Sequence, residues 1–207
     1  MKNKLAQLLG STFLATGIAS AVMTAPVNAA TLGVCSTTDV SLGGVNAVDC
    51  FGASGNDTGA DDPLETWLDG GLFSEYVGTG ADWSLLGKSD SNSDIIQAPD
   101  ETSIGNWTLG QPLPSSTFVI SLKASDFYSA YLFQNVDFAQ TGLTGLFNTI
   151  GVAVNKNGKA MDLSHASVFV MDKPGSTNPT PVPEPTTLIG LGLVASGILV
   201  SRRFKLS

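Results

Sequence analysis

The sequence predicts an all-β protein: an antiparallel β-sandwich, jelly-roll-like, with an N-terminal signal peptide and a single short C-terminal transmembrane helix. Three observations carry this. Short strand-like runs recur after Gly80, each bounded by Gly, Asp, Ser or Pro. No long stretch in that region repeats its apolar residues at helical spacing, which argues against parallel βαβ units. The clearest run, "STFVISLKAS", alternates Phe118, Ile120 and Leu122 with Val119, Ser121 and Lys123, giving one apolar face and one mostly polar face. Strands with one apolar face bury it by pairing two sheets.

At the start of the chain, Lys2 and Lys4 precede a largely apolar stretch, and "VNAA" offers small residues for cleavage near Ala29. Residues 1–29 are therefore expected to be a signal peptide. The competing reading is a retained anchor, against which stand the polar breaks at Ser11, Thr12, Thr16 and Ser20. Export places Cys35 and Cys50, the only two cysteines, in an oxidising compartment where a disulfide is expected. It would close a loop of about 16 residues and contribute about 3 kcal/mol on chain-entropy grounds. A reactive thiol would need an activating base, and the single histidine lies far downstream.

The β-sandwich domain is expected over 31–173. Its first part, to about Gly80, is rich in Gly, Asp and Ser ("SLGG", "GASGNDTGADDP", "LDGG") and reads as long loops. A short helix is expected over 64–68, with Asp62 as cap, Pro63 at the first helical position and Glu65 in the first turn. Strands follow at "DWSLLGK", "IGNWTLG", "STFVISLKAS" and "FYSAYLF". Two more, "GLFNTIGVAVN" and "SHASVFVM", are separated by "NKNGK", whose Asn157-Gly158 pair suits a hairpin turn. A proline-rich linker over 174–182 makes a semi-rigid spacer.

Composition narrows the function. Of 207 residues, 43 % are hydrophobic and 14 % charged, so the middle of the chain has the apolar content to fold. The net charge of −8 conceals an uneven distribution, because Lys2, Lys4, Arg202, Arg203 and Lys205 all lie at the ends. Between residues 31 and 180, 17 acidic residues face 5 lysines. Such a body is repelled by nucleic acid and by anionic headgroups, and nucleic acid is set aside as a partner.

Little in the body points to catalysis. His165 is the only histidine, and "SHAS" offers neighbouring serines without an orienting acid, so a structural or surface histidine is expected rather than a triad member. Two cysteines and one histidine make no zinc set. Asp57, Asp61, Asp62 and Glu65 are weak calcium candidates. Their spacing does not match an EF-hand, and a solvated acidic loop is the competing reading. Paired carboxylates for glycoside hydrolysis depend on three-dimensional separation, and nothing in the sequence selects a pair. Trp67, Trp83 and Trp107 would stack on sugar rings if exposed on one face; as core residues they would not.

The tail is the most informative segment. Val182, Pro183, Glu184 and Pro185 precede an apolar run over 186–201, and Arg202 and Arg203 close it. As a helix the run spans about 24 Å against roughly 30 Å of hydrocarbon, with the arginines able to snorkel and to hold the end on the cytoplasmic side. Prolines around Glu184 keep the backbone free of regular structure beside the membrane, while Gly190, Gly192 and Gly197 weaken the helix. A permanent C-terminal anchor needs the same topology.

These three parts, in this order over 183–205, resemble the PEP-CTERM sorting signal of Gram-negative bacteria. The resemblance implies recognition by exosortase, a membrane-embedded transpeptidase-like protease that cuts near the motif. It also implies an inner-membrane intermediate followed by delivery to the cell surface or extracellular matrix, with extracellular polysaccharide as a further candidate partner. The body segments "DCFGASGND", "WSLLGK", "FVISLKAS", "AYLF", "GLFNTIG" and "LSHASVFV" are similar to a common type of exported PEP-CTERM protein without an established activity. The expectation is a structural protein with no cofactor and no catalytic activity. The alternatives are a secreted carbohydrate-binding module and a secreted hydrolase.

Overall fold

The computed structural model describes residues 29–60, 63–91 and 94–175. The expected signal peptide up to residue 28 lies outside the described residues, as do the chain after 175, the sorting motif and the apolar run over 186–201. The described chain passes through β1 (Thr31–Leu32), β2 (Val40–Leu42), β3 (Val45–Asn46), β4 (Asp49–Ser54), α1 (Pro63–Asp69), α2 (Ser74–Val77) and β5 (Asp82–Lys88). It continues through β6 (Ile96–Gln97), β7 (Ile104–Leu109), β8 (Phe118–Ala124), β9 (Phe127–Phe133), α3 (Phe138–Thr141), β10 (Thr144–Asn148), β11 (Ala153–Val154) and β12 (His165–Lys173).

The class is mainly β with antiparallel pairing. One sheet has the order β3-β2-β10-β7-β6, a second, larger by its longer strands, the order β4-β9-β8-β12-β5, and β1 pairs with β11. The apolar row of β8 (Phe118, Ile120, Leu122) shares a face with Ala166, Val168 and Val170 of β12 and with Tyr131 and Phe133 of β9. Val40, Leu42, Trp107, Leu109 and Phe147 of the other sheet pack into the same core. Phe118 and Phe133 stack within it at 5.1 Å. The two sheets bury one interior between them, as strands with an apolar face require.

The polar row of β8 departs from the expectation that it faces water, because all seven residues of that strand are buried. A third layer covers part of that face. Leu64 and Leu68 of α1, with Phe73 and Val77, pack against Val119, Ala130, Leu132 and Phe169 on the outer face of the larger sheet. The helix begins at Pro63 as the sequence indicates. Its carboxylates then serve the neighbouring edge strand: Glu65 Oε2 accepts from the Leu85 N–H at 2.9 Å and Asp69 Oδ1 from the Trp83 N–H at 2.8 Å. Donors that a bare sheet edge would leave to water are thereby satisfied.

The glycine-rich stretch before Gly80, expected as loops, contains β1 to β4 as well. In particular β4 runs beside β9 from Asp49↔Leu132 to Ser54↔Phe127. Its partner lies far along the chain, and "DCFGAS" has no local pattern that announces a strand. The Cys35–Cys50 disulfide is formed and ties the segment after β1 to the start of β4. The Asn157-Gly158 turn is present: Gly158 has φ 73° and Val154 bridges Ala160. The runs on either side of it nonetheless part, since β10 joins the smaller sheet and β12 the larger. Among the described residues no helix is long and apolar enough to cross a membrane.

Candidate functional site

The period-two geometry of β12 puts His165, Ser167 and Phe169 on the outer face of the larger sheet. On β8, Lys123 stands opposite His165 and Ser121 opposite Ser167. Four polar side chains of two central strands therefore meet on that outer face. The loop after β4 supplies the fifth, Asp57, whose side chain is 0 % exposed.

Asp57 and His165 form the centre of this cluster. His165 Nε2 lies 2.8 Å from Asp57 Oδ1, and His165 Nδ1 lies 3.4 Å from Asp90 Oδ2. Asp90 is in turn 3.5 Å from Lys88 Nζ. The imidazole thus stands between a buried carboxylate and a half-exposed one that pairs with a lysine. Burial alone would raise the Asp57 carboxyl, but the hydrogen bond and positive charge of His165 outweigh it and hold the group below its usual range. Ser167 and Ser121 assist. Neither hydroxyl makes a hydrogen bond of normal geometry with a described residue, so they act as nearby dipoles.

Lys123 lies at the edge of the same cluster, donating to the Ser125 carbonyl. Burial lowers its pKa, against which Asp126 and Asp57 act. Tyr128, opposite Lys123 on β9, is raised by burial and then by the Asp57 charge.

The arrangement differs from a nucleophilic triad in the partners of its imidazole. In a nucleophilic triad one imidazole nitrogen faces a hydroxyl while the other faces the orienting acid. Here both nitrogens face carboxylates, and the two serines lie on the Asp57 side. His165 has two acidic partners, neither of them adjacent in sequence. Among the described residues no group of three or more His, Cys, Asp or Glu is placed to hold a metal ion. Of the calcium candidates, Asp57 turns inward to His165 and Glu65 caps the Leu85 N–H, whereas Asp61 and Asp62 lie outside the described residues. The solvated-loop reading thus fails at Asp57, because the loop folds down onto the sheet.

The tryptophans separate. Trp83 and Trp107 are core residues at 2 % and 0 % exposure, while Trp67 on α1 is 52 % exposed. It lies beside Phe51 of β4 with ring centroids 5.2 Å apart. A cleft of about 340 Å³ runs alongside, lined among others by Asp49, Phe51, Leu72, Glu75 and Tyr76. Val182, Pro183, Glu184, Pro185, Arg202 and Arg203 lie outside the described residues.

Asp90, Phe51 and Tyr76 carry no motif and were not selectable from sequence. The legible signal for the buried cluster is the pair of polar residues two apart on each of two central strands, Ser121 with Lys123 and His165 with Ser167. In comparisons with protein-family models, curated proteins and solved structures, the chain matches none.

Proposed function

We propose that this is a non-catalytic structural protein that is exported, held transiently in the inner membrane by its C-terminal helix, and fixed at or released from the cell surface into the extracellular matrix by an exosortase-type protease. One observation carries the reading: Pro183-Glu184-Pro185, then the apolar run over 186–201, then Arg202-Arg203, in that order at the end of the chain. The placement of the motif supports it. The last strand ends at Lys173, and the proline-rich composition from Pro174 to Pro185 suits a spacer between the folded body and the motif. The disulfide is of the kind kept in oxidising compartments.

The jelly-roll-like refinement belongs to the same proposal. Strands that are close in sequence part between sheets, β3 from β4 and β7 from β8, as sheet-crossing connections require. A carbohydrate-binding role is favoured by one separate observation, the exposed Trp67 beside its cleft.

The test replaces Pro183, Glu184 and Pro185 together by alanine in the native host. The triple variant is expected to accumulate in the membrane fraction while the parent reaches the surface or medium. Equal release of both proteins would contradict the proposal.

A further inference from the structure

We propose that the groove beside Trp67 binds a neutral glycan chain. Leu64 and Leu68 of α1 face the sheet, so Trp67 falls on the flank of the helix toward β4, where Phe51 supports its ring at 5.2 Å and an interplanar angle of 37°. An aromatic surface supported on one side and open on the other is a platform.

Two shallow clefts meet at Leu72. One of about 370 Å³ is lined by Thr66, Trp67, Gly70 and Leu72. The other, of about 340 Å³, is lined by the rings of Phe51 and Tyr76 and by the carboxylates of Asp49 and Glu75 among others. Each is at the low end for a small-molecule site, and their contact at one residue suits successive rings of a chain better than one compact ligand.

The chemistry selects the class. One face of a pyranose presents C–H groups of partial positive charge, which settle on the negative π-face of an indole or phenol ring. Its equatorial hydroxyls donate to carboxylates in charge-assisted hydrogen bonds, a role open to Asp49 and Glu75. Asp49 Oδ1 already takes the Cys50 N–H at 2.8 Å, which steadies that side chain at the start of β4. The same carboxylates, on a body with 17 acidic residues against 5 lysines, repel uronate-bearing glycans. A compact quaternary ammonium also suits aromatic rings beside carboxylates, but would fill one cleft and leave the other unused. The proposal does not depend on the sorting signal.

The test is calorimetric titration of the full chain with cellopentaose, laminaripentaose, chitopentaose and mannopentaose, and in parallel with an oligogalacturonate and with choline chloride. At least one neutral pentasaccharide is expected to bind with a Kd of about 1 mM or tighter. Tryptophan emission should shift with it, because Trp83 and Trp107 are buried and Trp67 is the residue that meets the ligand. Trp67→Ala should weaken binding about tenfold, and Tyr76→Ala serves the same purpose if the first variant does not fold. The oligogalacturonate should bind only after Asp49→Asn with Glu75→Gln. The proposal is overturned if no neutral pentasaccharide binds at about 10 mM. Binding unchanged in both aromatic variants, or binding of choline or oligogalacturonate alone, overturns it as well. Any of these results leaves tail processing untouched, since that is read by mass and location.

Discussion

His165 Nε2 lies 2.8 Å from Asp57 Oδ1, although 108 residues separate the two in the chain. The contact fastens the loop after β4 onto β12, and the Asp57 carbonyl accepts the Leu64 N–H at 3.3 Å, which carries the same hold into α1. His165→Ala leaves a buried carboxylate without its imidazole and is expected to cost about 3 kcal/mol. In a domain of this size that lowers Tm by roughly 6–12 °C. The double variant Asp57→Leu, His165→Leu should cost less than the sum of Asp57→Leu and His165→Leu alone, because the pair is removed together and neither partner is left buried without the other. Urea melts of the four proteins check this; strict additivity would contradict it.

The same pair sets an acid dependence. The folded-state pKa of Asp57 is held below its unfolded value, so the stability it contributes is present above about pH 4 and lost as pH falls through the lower, folded value. Melts below pH 4 should therefore show a steep loss in the parent and a flatter profile in Asp57→Asn. Asp39 has the opposite sign. Burial raises it, with hydrogen bonds from the Ser36 N–H and the Tyr131 hydroxyl partly offsetting the effect. Its contribution is fully present below about pH 4 and lost as pH rises through its folded value, so Asp39→Asn should flatten the profile on the upper side of that point.

The Cys35–Cys50 disulfide spans a sequence separation of 15 residues. Its removal by Cys35→Ser with Cys50→Ser should cost about 3 kcal/mol. The fold should survive, because Cys35 and Cys50 only pack, partly buried, against the core between the sheets, whose buried residues are others, and take no part in the core under the helices. Thermal melts with circular dichroism check both parts; a variant without β signal at room temperature would contradict the second.

Gly145 in β10 lies against the indole of Trp107. A Cβ there would meet the Ser41 carbonyl oxygen at 2.1 Å and the Trp107 ring at 2.3 Å. Gly145→Ala must displace backbone or a fully buried tryptophan, and overpacking of this kind costs about 3 kcal/mol or more. Gly44→Ala, in a turn with φ 85° but open space around it, should cost less. Paired urea melts decide.

Most strand positions in the second half were legible because their signal is local, although the run "GLFNTIGVAVN" is broken at Thr149–Gly151 into β10 and β11, and β6 was not expected. "DWSLLGK" is β5 and "FYSAYLF" is β9, residue for residue. The helix at Pro63 was legible for the same reason, its start being marked by proline. β4 was not, because "DCFGAS" becomes a strand only against β9, more than seventy residues on. The fate of Ser121 and Lys123 was hidden likewise: alternation reports two faces, and only the long-range approach of the Asp57 loop and the helices shows that both are buried. Asp57 read as part of a solvated loop because its partner His165 is distant in sequence. Trp67, Trp83 and Trp107 are equivalent by composition, and burial alone separates them.

The central claim, that the tail is an address read by a protease, is tested most directly by the intact mass of the protein recovered from cell surface and medium. The account predicts a chain that starts near residue 30, keeps the disulfide and ends close to Pro183–Pro185. A recovered chain still ending at Ser207 would contradict it and make the apolar run over 186–201 a permanent anchor.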